Sequence, residues 1–212
     1  MRTNSTNPKE DLQTIREIME RSSKFLSLSG LAGIFAGLCA LVGAAVAWFI
    51  VLDSGNVCFD EYMYGTVGSA GSAIRTYLTL DALLVLGFAV LGAFYFSQRK
   101  ARRVGQQFWT NSTRRLLIHL LIPLVSGAIF IWILFLQNNM VLAASVMLIF
   151  YGLSLVNAGK FTFSEIHYLG LTEIGLGILA GLFVHQGLLF WTIGFGLMHI
   201  FYGAVMYYRH ER

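Results

Sequence analysis

Charged residues are scarce in this chain: 12% of its 212 residues are Asp, Glu, Lys or Arg, and 56% are hydrophobic. A soluble globular domain carries about 25% charged residues, so the composition fits a helical membrane protein better than a soluble domain. Proline and cysteine are also rare, with two of each. Cys39 lies in an apolar run and Cys58 in a more polar stretch, which excludes a disulfide framework as the basis of the fold.

Catalytic motifs are missing as well. The sequence has no His-Glu-x-x-His zinc pair, no Gly-x-Ser-x-Gly nucleophile elbow and no glycine-rich phosphate loop. No lysine lies inside a predicted span, which excludes a retinal Schiff base. We therefore expect no enzymatic activity and no cofactor, apart from the histidine alternative described below.

Six apolar segments dominate the chain, and roughly 20 apolar residues suffice to cross about 30 Å of hydrocarbon. We predict an all-α polytopic membrane protein with a single membrane domain, residues 1–212. Its transmembrane helices are predicted at residues 27–52, 76–96, 116–137, 140–157, 165–184 and 188–208. Asn7, Pro8 and Glu10 indicate a helix start, and residues 1–24 are predicted to form an amphipathic helix at the cytoplasmic membrane surface.

The distribution of basic residues orients these six spans. Fourteen of the fifteen Lys and Arg residues fall on one side of the membrane, and only Arg75 falls on the other. Basic residues in short loops stay on the cytoplasmic side, so both termini are predicted to be cytoplasmic. The predicted location is a bacterial inner membrane. The basic belt is expected to contact anionic lipids and not nucleic acid.

Small residues recur at helical spacing in three of the spans, where they allow two helices to approach closely in lipid. The packing positions are Gly30, Gly33 and Gly37, then Gly170 and Gly177, then Gly196 and Gly203. The neighbour of the first span is either in the same chain or in a second copy. An internal repeat is also present, since residues 147–152 (MLIFYG) are echoed by residues 198–203 (MHIFYG). It predicts two hairpins that share an orientation.

Glu173 and His199 are the leading candidates for a functional site. An ionisable group at the centre of a membrane span costs roughly 2.5–3.5 kcal/mol and therefore points to function. Each of the two lies thirteen residues from Gln186 at the turn, so a regular hairpin places them at one depth. Their small-residue faces direct both groups into the bundle, where they either hold or pass a proton or link two helices structurally.

Four further ionisable residues have weaker patterns. Asp81 lies near the outer end of span 2, where it lines an external vestibule or reaches towards water. His119 and His167 occupy equivalent positions of the repeat, which suits a bis-histidine haem or a metal, or two interface histidines without a ligand. Glu165, at the start of span 5, is explained by the dipole of its helix.

The segment from Ile18 to Gly30, IMERSSKFLSLSG, resembles small uncharacterised multipass membrane proteins of bacteria, and the resemblance implies no activity. Three hypotheses follow from the residues. The first is a small transporter or channel-like protein with a midplane site at Glu173 and His199, and with Asp81 as a further candidate residue for substrate or proton binding. The second is a non-enzymatic membrane regulator that assembles with itself or with a membrane partner. The third is a haem- or metal-binding protein that uses His119 and His167.

Overall fold

The computed structural model describes Phe25 and residues 27–53, 69–105 and 107–212. The described part of the chain is helical and contains no β-strand. The amphipathic helix predicted for residues 1–24 lies outside these residues, as does residue 58 in the predicted outer loop.

All six predicted spans are helical. The helices are α1 (Gly30–Asp53), α2 (Ser69–Arg103), α3 (Asn111–Leu136), α4 (Ala143–Ala158), α5 (Ser164–Leu182), α6 (Gly187–Trp191) and α7 (His199–His210). A π-helical segment, Thr192–Met198, joins α6 to α7, so residues 187–210 form one continuous run that we call the final helix. Short 3₁₀ turns, Gly159–Phe161 and Val184–Gln186, precede α5 and the final helix. The largest difference from prediction is α2, which is 35 residues long.

Within the described ranges, five helical stretches are long and apolar enough to cross a membrane: Gly30–Phe49, Thr76–Arg103, Asn111–Leu136, Ala143–Phe161 and Val184–His210. The α5 helix is less apolar because it carries Glu165 and Glu173, but it packs extensively against α4. Large hydrophobic side chains cover the outer faces of the helices; Leu84 of α2, for example, is 62% exposed. So much exposed apolar surface is compatible with insertion into a membrane.

Local chemistry explains where α3 begins and ends. The Thr110 hydroxyl accepts a hydrogen bond from the backbone N–H of Thr113 at 3.2 Å and caps the helix start. The turn after α3 contains Asn138 with a φ of 55°, a left-handed conformation that asparagine adopts more readily than most residues. This short turn returns the chain along α3 as α4.

Two helix pairs pack backbone against backbone. In the first pair, α1 and the final helix, a methyl group added at Gly203 would lie 2.6 Å from the backbone nitrogen of Ile34 and 2.8 Å from the carbonyl oxygen of Gly30. In the second pair, α4 and α5, a methyl group added at Gly152 would lie 2.6 Å from the carbonyl oxygen of Gly170. Only glycine permits such close approach. We call the boundary between the two pairs the seam.

One end of the bundle brings together the starts of α1 and α5 and the ends of α2 and the final helix. Glu211, just after α7, accepts hydrogen bonds from the backbone N–H of Gly30 and from Lys100 Nζ, the latter at 3.3 Å. Phe25 donates its backbone N–H to the Phe161 carbonyl at 2.7 Å and so joins the start of α1 to the turn before α5. We call this the Lys100 end.

Candidate functional site

Glu173 is the most deeply enclosed charged residue of the described chain, with 0% of its surface exposed. It lies on α5 and points across the seam towards Gly194 of the final helix, where an added Cβ would collide with its carboxyl group and with Leu148. Neither carboxyl oxygen has a hydrogen-bond donor in the described part of the chain. A buried polar group is normally satisfied, so this arrangement needs a specific explanation.

His199 lies beside Glu173 and carries a defined tautomer. Its Nδ1 lies 3.0 Å from the carbonyl oxygen of Gly194 and 3.4 Å from Oε1 of Glu173. A carbonyl oxygen only accepts hydrogen bonds, so Nδ1 carries a proton. The stronger bond goes to Gly194, and the carboxyl group receives a longer, mainly electrostatic contact.

Tyr151 of α4 is the third member of the cluster. Its hydroxyl lies 2.7 Å from Nε2 of His199, and the two rings stack with centroids 5.3 Å apart. In the neutral imidazole, Nε2 accepts the tyrosine proton; in the protonated imidazole, Nε2 donates to the tyrosine oxygen. The hydroxyl group therefore serves both charge states of His199.

The Glu173–His199–Tyr151 cluster can hold one proton in two ways. The proton resides on the carboxyl group beside a neutral imidazole, or on the imidazole beside a carboxylate. Both arrangements have no net charge, which suits a site removed from water. Because Nδ1 already carries a proton, the imidazolium form takes its second proton at Nε2, which faces Tyr151 and not Glu173. The two arrangements therefore do not interconvert by a direct transfer across the 3.4 Å contact. The chemistry that this geometry supports is storage of a proton on Glu173 or on His199.

The π-helical segment shapes the wall of the cluster. In the π-helical residues 192–198, backbone hydrogen bonds join residues five positions apart. Gly194, within this segment, presents its carbonyl oxygen to the side chain of His199. Single π-helical turns inside α-helices are frequent at functional sites because they reorient backbone groups. Here the segment supplies the acceptor that fixes the His199 tautomer.

The two helix pairs are built alike, which was not predicted from the sequence. Residues 30–37 (GLAGIFAG) and 170–177 (GLTEIGLG) share the pattern Gly-Leu-x-x-Ile-x-x-Gly. Gly30 meets Gly203 and Gly170 meets Gly152, the glycines that end the two copies of the repeated hexapeptide. The hexapeptide repeat is recognisable in the sequence. The two copies of the Gly-Leu-x-x-Ile-x-x-Gly pattern are 140 residues apart, and the pattern is too short to be distinguished from a chance match.

The polar cluster interrupts this internal symmetry. Glu173 occupies the position that corresponds to Gly33, and His199 occupies the position that corresponds to Leu148. Tyr151 and Tyr202 are also equivalent, and each crosses the seam: Tyr151 to His199, and Tyr202 to the Thr172 hydroxyl at 3.2 Å. Polar side chains therefore join the two similar helix pairs. The carboxyl group of Glu173 and the imidazole of His199 each occur at only one of two equivalent positions.

The structure brings the predicted packing glycines together in the same chain. Gly33 and Gly37 of α1 face the final helix near Gly203 and Gly196, and Gly177 of α5 faces Ile149 of α4. The glycines near Glu173 on α5 thus contact α4, and the glycines near His199 on the final helix contact α1. The two glycine faces do not pack against each other.

The remaining candidates lie apart from the cluster. Asp81 of α2 is half-buried beside Gly43 of α1. His119 is exposed and stacks on Phe161 at 4.8 Å, whereas the backbone of His167 packs beside Gly159. In the described ranges, no three His, Cys, Asp or Glu side chains form a group suited to a metal ion.

Comparison of the chain with protein-family models, curated proteins and solved structures finds no match. The resemblance of residues 18–30 to multipass bacterial membrane proteins stays a prediction. The function must therefore be inferred from the geometry of the Glu173–His199–Tyr151 cluster.

Proposed function

We propose that the chain is a six-span protein of a bacterial inner membrane with both termini in the cytoplasm, and that it is a small proton-coupled transporter. Its topology is supported by the position of the basic residues. Lys100 and Arg209 belong to the end of the bundle where α1 and α5 begin, and Arg75 belongs to the opposite half of α2. The positive-inside rule places the Lys100 end in the cytoplasm.

The observation that carries the proposed function is the unsatisfied carboxyl group of Glu173 at the seam. A structural link between helices would use its carboxyl oxygens as hydrogen-bond acceptors, because an unpaired buried polar group costs roughly 1–3 kcal/mol. Both oxygens of Glu173 lack a hydrogen-bond donor in the described chain, while a second titratable group, the imidazole of His199, lies 3.4 Å away. Such a cost is retained where the group performs a function, as ionisable residues within membranes generally do.

The location of the cluster supports transport more than local signalling. It lies between two similarly built helix pairs, and many transporters bind substrate and coupling ion near the midplane between structural repeats. Backbone packing within each pair favours movement of each pair as a unit. In the proposed cycle, the pairs separate on one side at a time, and Glu173 exchanges its proton with the exposed side.

Proton flux in proteoliposomes tests this proposal. The purified protein is reconstituted with a pH-sensitive dye inside the vesicles, which then receive gradients of Na⁺, K⁺, small organic cations or small organic acids in turn. We expect one substrate class to change the internal pH, and we expect Glu173→Gln to reduce that change to the level of protein-free vesicles, because glutamine cannot release a proton.

Asp81→Asn is the matched control, since it also neutralises a carboxylate in a span but lies outside the cluster. This variant should retain the flux. Normal flux in Glu173→Gln, or loss of flux in Asp81→Asn alone, would contradict the assignment of Glu173 as the proton-carrying group.

A further inference from the structure

A second set of polar contacts crosses the seam at the Lys100 end. Glu165, in the first turn of α5, lies 3.1 Å from Arg209 Nη1 and 3.3 Å from His210 Nε2, both at the end of the final helix. The Glu165 side chain is only 7% exposed, although Arg209 is 68% exposed. His210 also stacks on Phe163, just before α5, with centroids 4.1 Å apart. These residues form what we call the inner ion cluster.

The inner ion cluster and the proton site lie on the same two helices. Glu165 precedes Glu173 by eight residues on α5, which corresponds to about 12 Å along a helix. Arg209 and His210 follow His199 on the final helix. The two helix pairs are thus connected by one polar contact set at the level of Glu173 and by another at the Lys100 end.

The contacts of Glu211 at this end lie on one side of the seam. Lys100 of α2 contacts Glu211 at 3.3 Å, and Glu211 accepts the N–H of Gly30 at the start of α1. These residues belong to α1, its neighbour α2 and the final helix, so they strengthen the first pair. Besides the inner ion cluster, Phe25 contacts Phe161 and Thr162 across the seam, and Lys100 Nζ lies 5.0 Å from the centre of the Phe163 ring.

The two kinds of interface have different mechanical properties. Within a pair, glycines place one backbone against another, and separation would expose backbone and open voids that nothing fills. Across the seam, side-chain hydrogen bonds and ion pairs can break and re-form with water as a temporary partner. Relative movement should therefore occur at the seam, as a shift of one packed unit against another.

We propose that Glu165, Arg209 and His210 form the cytoplasmic gate of the Glu173 site, closed in this structure. The inference depends on the proposed transport function and adds its regulation: separation of the inner ion cluster would admit water from the cytoplasm along the seam to Glu173. The half-buried Thr172, which precedes Glu173 and contacts Tyr202 across the seam, lies on this path.

Cysteine accessibility tests the gate without any need to know the substrate. Thr172→Cys is introduced into full-length protein that carries Cys39→Ala and Cys58→Ser, and inverted membrane vesicles are treated with a negatively charged, membrane-impermeant methanethiosulfonate. We expect slow labelling with the gate intact. Glu165→Gln should accelerate labelling about tenfold, because a contact with a charged partner contributes about 1.4 kcal/mol or more.

Three further variants define the result. Glu211→Gln, the matched control, removes ionic contacts that do not cross the seam and should leave the labelling rate unchanged. The double variant Arg209→Ala/His210→Ala removes the two more exposed partners of Glu165 and leaves the buried carboxyl group in place. It should reproduce the accelerated labelling even if Glu165→Gln fails to fold. The charge exchange Glu165→Arg with Arg209→Glu should return the rate towards that of the intact gate.

Equal labelling rates in the Glu165→Gln and Glu211→Gln backgrounds would overturn the gate, as would acceleration that is confined to right-side-out vesicles. A failure of the gate proposal can be distinguished from a failure of the proposed transport function. If labelling accelerates but Glu173→Gln retains proton flux, the gate stands and the proton role of Glu173 falls. If flux depends on Glu173 but labelling does not respond to Glu165, only the gate is wrong.

Discussion

Glu173→Met is expected to make the protein more stable and to abolish the proposed proton flux. The methionine side chain has a similar length and no polar atom that needs a donor, and it would fill the space between Gly194 and Leu148. Because an unpaired buried polar group costs about 1–3 kcal/mol, its replacement by an apolar side chain of similar length should stabilise the protein by about that amount. For a chain of this size, each kcal/mol corresponds to roughly 2–4 °C in the unfolding temperature.

The measurement is thermal unfolding of the purified protein in detergent, followed by tryptophan fluorescence, together with the proteoliposome flux. His199 should not be left unsatisfied by the change, because its Nδ1 retains the Gly194 carbonyl and its Nε2 retains Tyr151. A fall of several degrees in the unfolding temperature would show that the carboxyl group links the helices structurally, and the proposed function would lose its main support.

Gly203→Val is expected to have the largest effect on folding. The new Cβ would lie 2.6 Å from the backbone nitrogen of Ile34 and 2.8 Å from the carbonyl oxygen of Gly30, and neither backbone atom can move without separating the helices. Overpacking of a core costs about 1–3 kcal/mol, and more where backbone must shift. We expect a loss of at least about 3 kcal/mol, seen as a lower unfolding temperature and a poor yield of monodisperse protein.

The internal similarity of the two pairs extends this prediction to a second site. Gly152→Val should destabilise the protein to a similar degree, because its Cβ would lie 2.6 Å from the Gly170 carbonyl oxygen. Gly175→Val is the matched control on α5, where a Cβ meets no atom within 4 Å, and it should be tolerated. If all three variants behave alike, helix propensity and not close approach governs these positions.

Much of the helical architecture could be predicted because lipid imposes a simple rule on sequence. Apolar segments of span length had to be helical, and the small-residue rows had to face other helices. The meeting of Glu173 and His199 followed from equal distances to one turn. These features depend on spacing within a helix or a hairpin, which a sequence displays directly.

The parts of the site that were not predicted from the sequence depend on contacts between distant segments of the chain. Tyr151 reaches His199 from another helix, and nothing distinguished it from other aromatic residues of apolar spans except its place in the repeat. The π-helical segment has no clear sequence signature beyond its glycines. Glu165 was explained by its helix dipole, and only the fold shows that Arg209 and His210 approach it.

Infrared spectroscopy tests the exchangeable proton of Glu173 most directly. The carbonyl stretch of a protonated carboxylic acid is recorded for the reconstituted protein in H₂O and then in D₂O. We predict a band that shifts on transfer to D₂O, disappears in Glu173→Gln and persists in Asp81→Asn. A Glu173 band that stays unshifted after prolonged incubation in D₂O would mean that the proton is not exchanged with water, and the transport mechanism would be contradicted.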